Sequence, residues 1–94
     1  MQIDKLASIK ILLSSINPSF LEIEDESHTH AGHYFQNPDS LFPSHISIKI
    51  VSSDFIGLNL IARHRIINHL LEDAYHNGLH AVRIKALSPQ ENNK

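Results

Sequence analysis

Ninety-four residues with a formal charge of −2 make room for one domain and not for two. Eight Lys and Arg against ten Asp and Glu give no net pull toward nucleic acid. The absence of cysteine removes disulfides, thiolate ligands and thiol nucleophiles, and no apolar run nears the ~20 residues of a membrane span. Eight histidines are the excess, so the charge climbs steeply below about pH 7. Met1 to Lys10 carries Asp4 and Lys5 and lacks a signal-peptide layout; a cytoplasmic chain without a membrane segment is the expectation.

In chain order, Asp4 to Ile16 reads as a helix: Leu6, Ile9, Leu13 and Ile16 form one stripe, Asp4 is a candidate N-cap, and Asn17-Pro18 stops it. Phe20 to Asp25 reads as a strand, with Leu21 and Ile23 on one face and Phe20, Glu22 and Glu24 on the other. Residues 26–44 hold Gly32, Pro38 and Pro43 without periodicity, and this long loop is expected to be the least ordered part of the body. His45 to Ser52 alternates, with Ile46, Ile48 and Ile50 opposite His45, Ser47 and Lys49. Asn59 to Asn77 reads as one helix with Leu60, His64, Ile67, Leu71 and Ala74 on its apolar stripe, closed by Gly78. His80 to Leu87 is the last strand, and residues 89–94 read as a frayed tail. The order α-β-β-α-β specifies a single α+β domain over 1–94, core about 4–88, with both helices on one face of a three-stranded sheet.

The chemistry centres on imidazoles. His28, His30 and His33 fall within six residues of the long loop, and Asp25, Glu26 and Asp39 could orient them. A polar loop of solvated histidines has the same sequence, and a structural zinc site requires more fixed ligands. His80 opens the last strand, where it either projects toward a partner or bonds a nearby carbonyl. His64 on the apolar stripe reads as a mostly buried structural residue, and His69 and His76 read as surface residues beside Glu72 and Asp73. No GxSxG elbow and no glycine-rich phosphate loop is present, so the chain reads as a binding protein and not an enzyme.

Leu21-Glu22-Ile23-Glu24-Asp25-Glu26-Ser27-His28-Thr29-His30, then Ser44-His45-Ile46 running into Ile50-Val51-Ser52, resemble the first half of a BolA-family domain. Phe55-x-Gly57, Arg63-His64-Arg65, Ile67-Asn68, Leu79-His80-Ala81 and Ser88-Pro89-Gln90-Glu91 extend the resemblance from about residue 4 to 91. It implies a K-homology-like fold of the second class with a mixed sheet. It also implies partnership with a monothiol glutaredoxin, the two proteins sharing a [2Fe-2S] cluster that the isolated chain would not hold. The resemblance assigns ligand roles to His80 and, from the loop, His30, with His45 and His33 as competing neighbours. The glutaredoxin would bring a cysteine and a bound glutathione. Mixed ligation of that sort raises the potential and makes the site proton-sensitive. The sequence departs from the family pattern in the extra residues Tyr34 to Leu41, in His33, and in Asn92 where an aromatic residue often stands. Some family members are described as transcriptional regulators. The rival expectation is therefore DNA binding through Arg63, Arg65, Arg83 and Lys85, although the GxxG clamp of K-homology domains is absent.

Overall fold

The computed structural model describes residues 5–27 and 42–93. Helix α1, Lys5–Leu13, runs into a 3₁₀ turn at Ser14–Ile16. Ile9, Leu13 and Ile16 are buried along it and Leu6 and Leu12 pack beside them, the stripe that the spacing predicts. Asn17 takes a left-handed conformation (φ 46°) and its N–H bonds back to the Ser14 carbonyl, which ends the helix before Pro18. The expected cap at Asp4 lies outside the described residues.

Strand β1, Phe20–Asp25, pairs antiparallel with β2, His45–Val51; β2 pairs parallel with β3, Ala81–Leu87, giving the order β1-β2-β3. The registers place Ile23 beside Ile48 and Ile48 beside Ile84, so the apolar alternation of all three strands faces one side. Ile46, Ile48 and Ile50 of the central strand are fully withdrawn from water, each such burial contributing about 2 kcal/mol. Glu22, Glu24, Lys49, Arg83 and Lys85 point to the opposite face, where the Lys49 ammonium stands 5.5 Å from the Phe20 ring centroid.

Past β2, Ser52 is completely buried: its hydroxyl donates to the Ile16 carbonyl (2.7 Å) and accepts the Asp54 N–H (3.1 Å). A short 3₁₀ turn, Ser53–Phe55, leads into a type II β-turn in which Leu58 N–H bonds the Phe55 carbonyl. Ile56 sits there at φ −60°, ψ 128° and Gly57 supplies the required positive φ of 79°. The Asn59 side chain then accepts from Ala62 N–H at 2.8 Å and starts α2, Leu60–Leu70.

Three expectations need correction. The single helix from Asn59 to Asn77 is broken at Leu71, after which α3, Glu72–His76, continues with acidic residues in its first turn. Its buried stripe is Arg63, Ile67, Leu71 and Ala74: Leu60 is 63% exposed and His64 only half-buried. Arg63 takes the inward position because three acceptors await it, the carbonyls of Leu58 (2.9 Å) and Ala86 (3.1 Å) and the Glu91 carboxylate (2.5 Å). The tail is ordered for the same reason. Ser88 and Glu91 form a reciprocal capping box with Pro89 at the first turn, building α4, Pro89–Asn92, and aiming Glu91 at Arg63.

This latch has a pH signature. Arg63 first, and then hydrogen bonds from Ser88, lower the Glu91 pKa from 4.5 to about 2. A depressed carboxylate contributes stability in full above its unfolded value and loses it as pH falls from about 4.5 to about 2. Glu91→Gln should therefore have a lower thermal midpoint than wild type at pH 7, the gap closing across that window. Calorimetry showing a gap independent of pH would refute the latch.

Candidate functional site

Parallel pairing of β2 with β3 sets the first residues of both strands side by side, His45 opposite Ala81, and brings His80 next to Ser44. Delivery of His80 begins at the end of α3. Gly78 (φ 117°) occupies the left-handed position after the helix, and Leu79 N–H returns to the Ala74 carbonyl at 3.0 Å, the long bond of a Schellman motif. Leu79 and Ala74 are both buried, so the turn is anchored in the core and His80 follows at its outer end. His80 N–H then donates to the Ser44 carbonyl at 2.7 Å, and Ala81 N–H to the same oxygen at 3.2 Å.

The strand alternation puts His45 on the face away from the core, yet only 6% of it is exposed. Its ring centroid lies 6.3 Å from that of His80, the planes inclined at 36°, and its Nδ1 is 2.9 Å from the Ser44 hydroxyl. His80 is exposed, so the pair joins an enclosed imidazole to an accessible one.

Ser27 closes the other side. Its hydroxyl accepts the N–H groups of Ser44 (2.9 Å) and His45 (3.2 Å) and faces the His45 carbonyl at 3.5 Å. Its own N–H donates to the Asp25 side chain at 2.9 Å, and Glu26 N–H donates to the His45 carbonyl at 2.8 Å. The segment 26–44 is thus pinned at both ends. Ser27, Phe42 and Ser44 are all buried, while residues 28–41, most of the segment expected to be least ordered, lie outside the described residues. Nearby, Glu26 pairs with Arg83 across the sheet at 2.5 Å.

Of the residues marked in the sequence, the structure unites His45 and His80. His28, His30 and His33 lie outside the described residues. His69 and His76 flank a shallow depression with Leu70, Glu72 and Asp73, His69 Nδ1 being 3.6 Å from Glu72. No group of three or more His, Cys, Asp or Glu with metal-site geometry occurs among the described residues. The four basic residues do not form one surface. Arg63 is buried, Arg65 stands in the helix layer, and Arg83 and Lys85 lie on the opposite face of the sheet. Ser27 and Ser44 are the residues that sequence reasoning missed. Their signal was slight: each borders a strand next to a histidine, but serine at a strand end is ordinarily a turn residue.

A family model described as BolA-like protein matches residues 12–91. The chain is 41% identical over 80 residues to the chloroplastic protein BOLA1 of Arabidopsis thaliana, covering 85% of this chain and 50% of that protein; it therefore spans about half the length of that relative. It is 35% identical over 82 residues to a Vibrio cholerae protein named DNA-binding transcriptional regulator BolA, covering 87% of this chain and 72% of that one. Among solved structures, the BolA domain of SufE1 from Arabidopsis thaliana is similar with a TM-score of 0.78 at 40% identity, over 90% of this chain and 92% of that one.

Removing the Ser27 hydroxyl leaves two buried N–H groups, of Ser44 and His45, without their acceptor. Ser27→Ala should destabilise the domain by about 1–3 kcal/mol. Amide exchange at Ser44 and His45 should accelerate more than at Ile48 or Ile50. Uniform acceleration along β2 would show that Ser27 is not a local clamp.

Proposed function

This chain belongs to the BolA-like family, and on that premise we propose that it is the histidine-bearing partner of a monothiol glutaredoxin, sharing a [2Fe-2S] cluster in iron–sulfur assembly, cluster trafficking or iron regulation. The observation that carries the reading is the His45–His80 pair, two imidazoles 6.3 Å apart with both backbones tied to Ser44 or Ser27. Imidazole pairs are an accepted donor set for one iron of a mixed-ligand [2Fe-2S] centre. The chain has no thiolate, so the remaining donors would belong to the partner. When bound, the cluster would supply one-electron chemistry and transferable iron and sulfide. This chain's part is to hold two neutral nitrogens at a fixed spacing on an edge a partner can reach. His80 supplies the accessible nitrogen and His45 the enclosed one, with His30 as the rival for second ligand. The reading includes a cytoplasmic setting, which a thiol-free chain permits; among the described residues no helix is long and apolar enough to cross a membrane.

The name of the Vibrio cholerae relative motivates a second reading, a DNA-binding regulator. The geometry lends it little, since Arg63 is spent inside the fold and Arg83 is paired with Glu26. Reversing Arg65, Arg83 and Lys85 to Glu should abolish only a weak duplex affinity that falls steeply with salt. Tight, sequence-selective binding by the wild-type chain at physiological salt would favour the regulator.

The test of the first reading mixes each variant with a monothiol glutaredoxin under iron–sulfur reconstitution and records visible absorption and circular dichroism. His80→Ala should lose the heterodimer's cluster signature and His45→Ala should lose or markedly alter it, with His69→Ala and His76→Ala matching wild type. A full signature in His80→Ala refutes the proposal. Retention in His45→Ala with loss in His30→Ala moves the second ligand to the loop.

A further inference from the structure

We propose that the outer edge of β3 is a docking site for an extended acidic segment of a partner protein, which joins the three-stranded sheet as a further strand. Val82 and Ile84 bond its main chain, and Arg83 and Lys85 face its carboxylates. This surface stands apart from the ligand role of the histidine pair.

The sheet ends at β3, and no strand lies beyond it among the described residues. Along a parallel strand, successive residues turn their main-chain groups to one side and then the other. Ala81 N–H bonds the Ser44 carbonyl and the Leu87 carbonyl accepts Ser52 N–H, so Ala81, Arg83, Lys85 and Leu87 turn toward β2. Val82, Ile84 and Ala86 therefore turn outward. The Ala86 carbonyl is already taken by Arg63 at 3.1 Å. Among the described residues nothing bonds the outward N–H and C=O groups of Val82 and Ile84. Their side chains are half-buried, whereas that of Ala86 is buried, so the edge is open at its first two outward positions and closed at the third.

The charges on the open face of the sheet select the kind of strand that fits. The register sets Glu22 of β1 beside Lys49 of β2, and Lys49 also lies over the Phe20 ring. Lys49 is thus compensated from the β1 side. The same row continues to Lys85, directly beside Lys49. Like charges on neighbouring strands repel and opposite charges attract. Lys85 is exposed and makes no ion pair among the described residues, while Arg83 reaches back to Glu26 with its side chain still 75% exposed. An incoming strand with carboxylates at alternate positions would complete this row on the β3 side as Glu22 does on the other. Basic residues on an edge strand also repel unwanted strands. A second copy of β3 would set Arg83 and Lys85 against their own kind, so the edge rejects it and admits an acidic strand. A nucleic acid would use the cations and leave the main-chain groups of Val82 and Ile84 unbonded.

The probe is a capped peptide of alternating valine and glutamate, added to the ¹⁵N-labelled full chain while amide hydrogen exchange is read residue by residue. In the free chain Val82 and Ile84 should exchange faster than Arg83 and Lys85, whose amides face β2. With peptide, Val82 and Ile84 should slow markedly and Arg83 and Lys85 should not, an alternation that unspecific charge attraction does not produce. Lys85→Glu, a surface change that leaves Arg83 and Glu26 in place, should weaken peptide binding roughly 10-fold. A peptide with lysine in place of glutamate should leave exchange in the wild type unchanged. The proposal is overturned by unslowed exchange at Val82 and Ile84 even at millimolar peptide, by equal slowing with the lysine peptide, or by full affinity in Lys85→Glu. Protection that rises with protein concentration alone would put a second copy on the edge and overturn it too. A DNA duplex that displaces the peptide at physiological salt would assign Arg83 and Lys85 to nucleic acid instead.

Discussion

A strand that pairs parallel to its neighbour cannot be reached by a tight turn, so the chain between Val51 and Ala81 must travel back along the sheet before β3 can begin. That return is what α2 and α3 are for. They lay Ile67, Leu71 and Ala74 over Ile46, Ile48 and Ile50, and they end near the level where β2 starts. The far end of the sheet is closed by Ser52 and the near end by Ser44, each a buried serine that ties the central strand to elements distant in sequence. Between them β2 has a neighbour on both sides, and its residues are buried or half-buried throughout. The histidine pair is a by-product of this arrangement: two strands entering the sheet in the same direction necessarily present their first residues together.

Polar groups inside the domain repeat one design. Arg63 is not a solvated charge but a three-pronged connector between the α2 entrance, the end of β3 and α4. Ser27 and Ser44 do at one end of the sheet, with neutral groups, what Arg63 and Glu91 do at the other with charge. Among the described residues no buried side-chain polar atom lacks a partner, which is the condition under which such interior networks rigidify a small core instead of weakening it.

Much of this was readable in the sequence. Period-two alternation gave β1, β2 and β3 almost to the residue, and the Leu6–Ile16 stripe gave α1, because in both cases one face is buried and the pattern is imposed by water. Gly78 announced its left-handed turn and Asn17-Pro18 the end of α1. The apolar stripe of the second helix was misassigned by one position, since hydrophobicity alone favours His64 over Arg63 and only the acceptors at Leu58, Ala86 and Glu91 reverse that order. The Ser-Pro-Gln-Glu run of α4 was read as the end of a strand and a frayed tail, because the capping box that orders it lies in reciprocal bonds between Ser88 and Glu91. His80 was read as opening the last strand; β3 begins one residue later, at Ala81, and His80 stands just before it. That His45 would be enclosed could not be read from alternation, which assigns it to the outward face. Around it Ser27, Ser44 and His80, as much as 53 positions apart in the chain, are tied by bonds invisible to any local pattern.

The order in which these pieces meet has a consequence for when the domain becomes competent. β1, β2 and the clamp at Ser27 lie between residues 20 and 51, so all of them have been made well before β3. β3 comes from the last fifth, and its pairing spans the largest loop closure in the fold, the kind of contact that arrives late on a folding route. During N-to-C synthesis the Ser44 carbonyl therefore waits for its donors, and His45 waits for its companion, until the whole crossover has emerged and docked. A nascent or partly unfolded molecule offers a single imidazole at that edge, and only the completed domain offers two. Whatever requires both imidazoles at that edge is in this way deferred to the finished fold, with no separate checkpoint required.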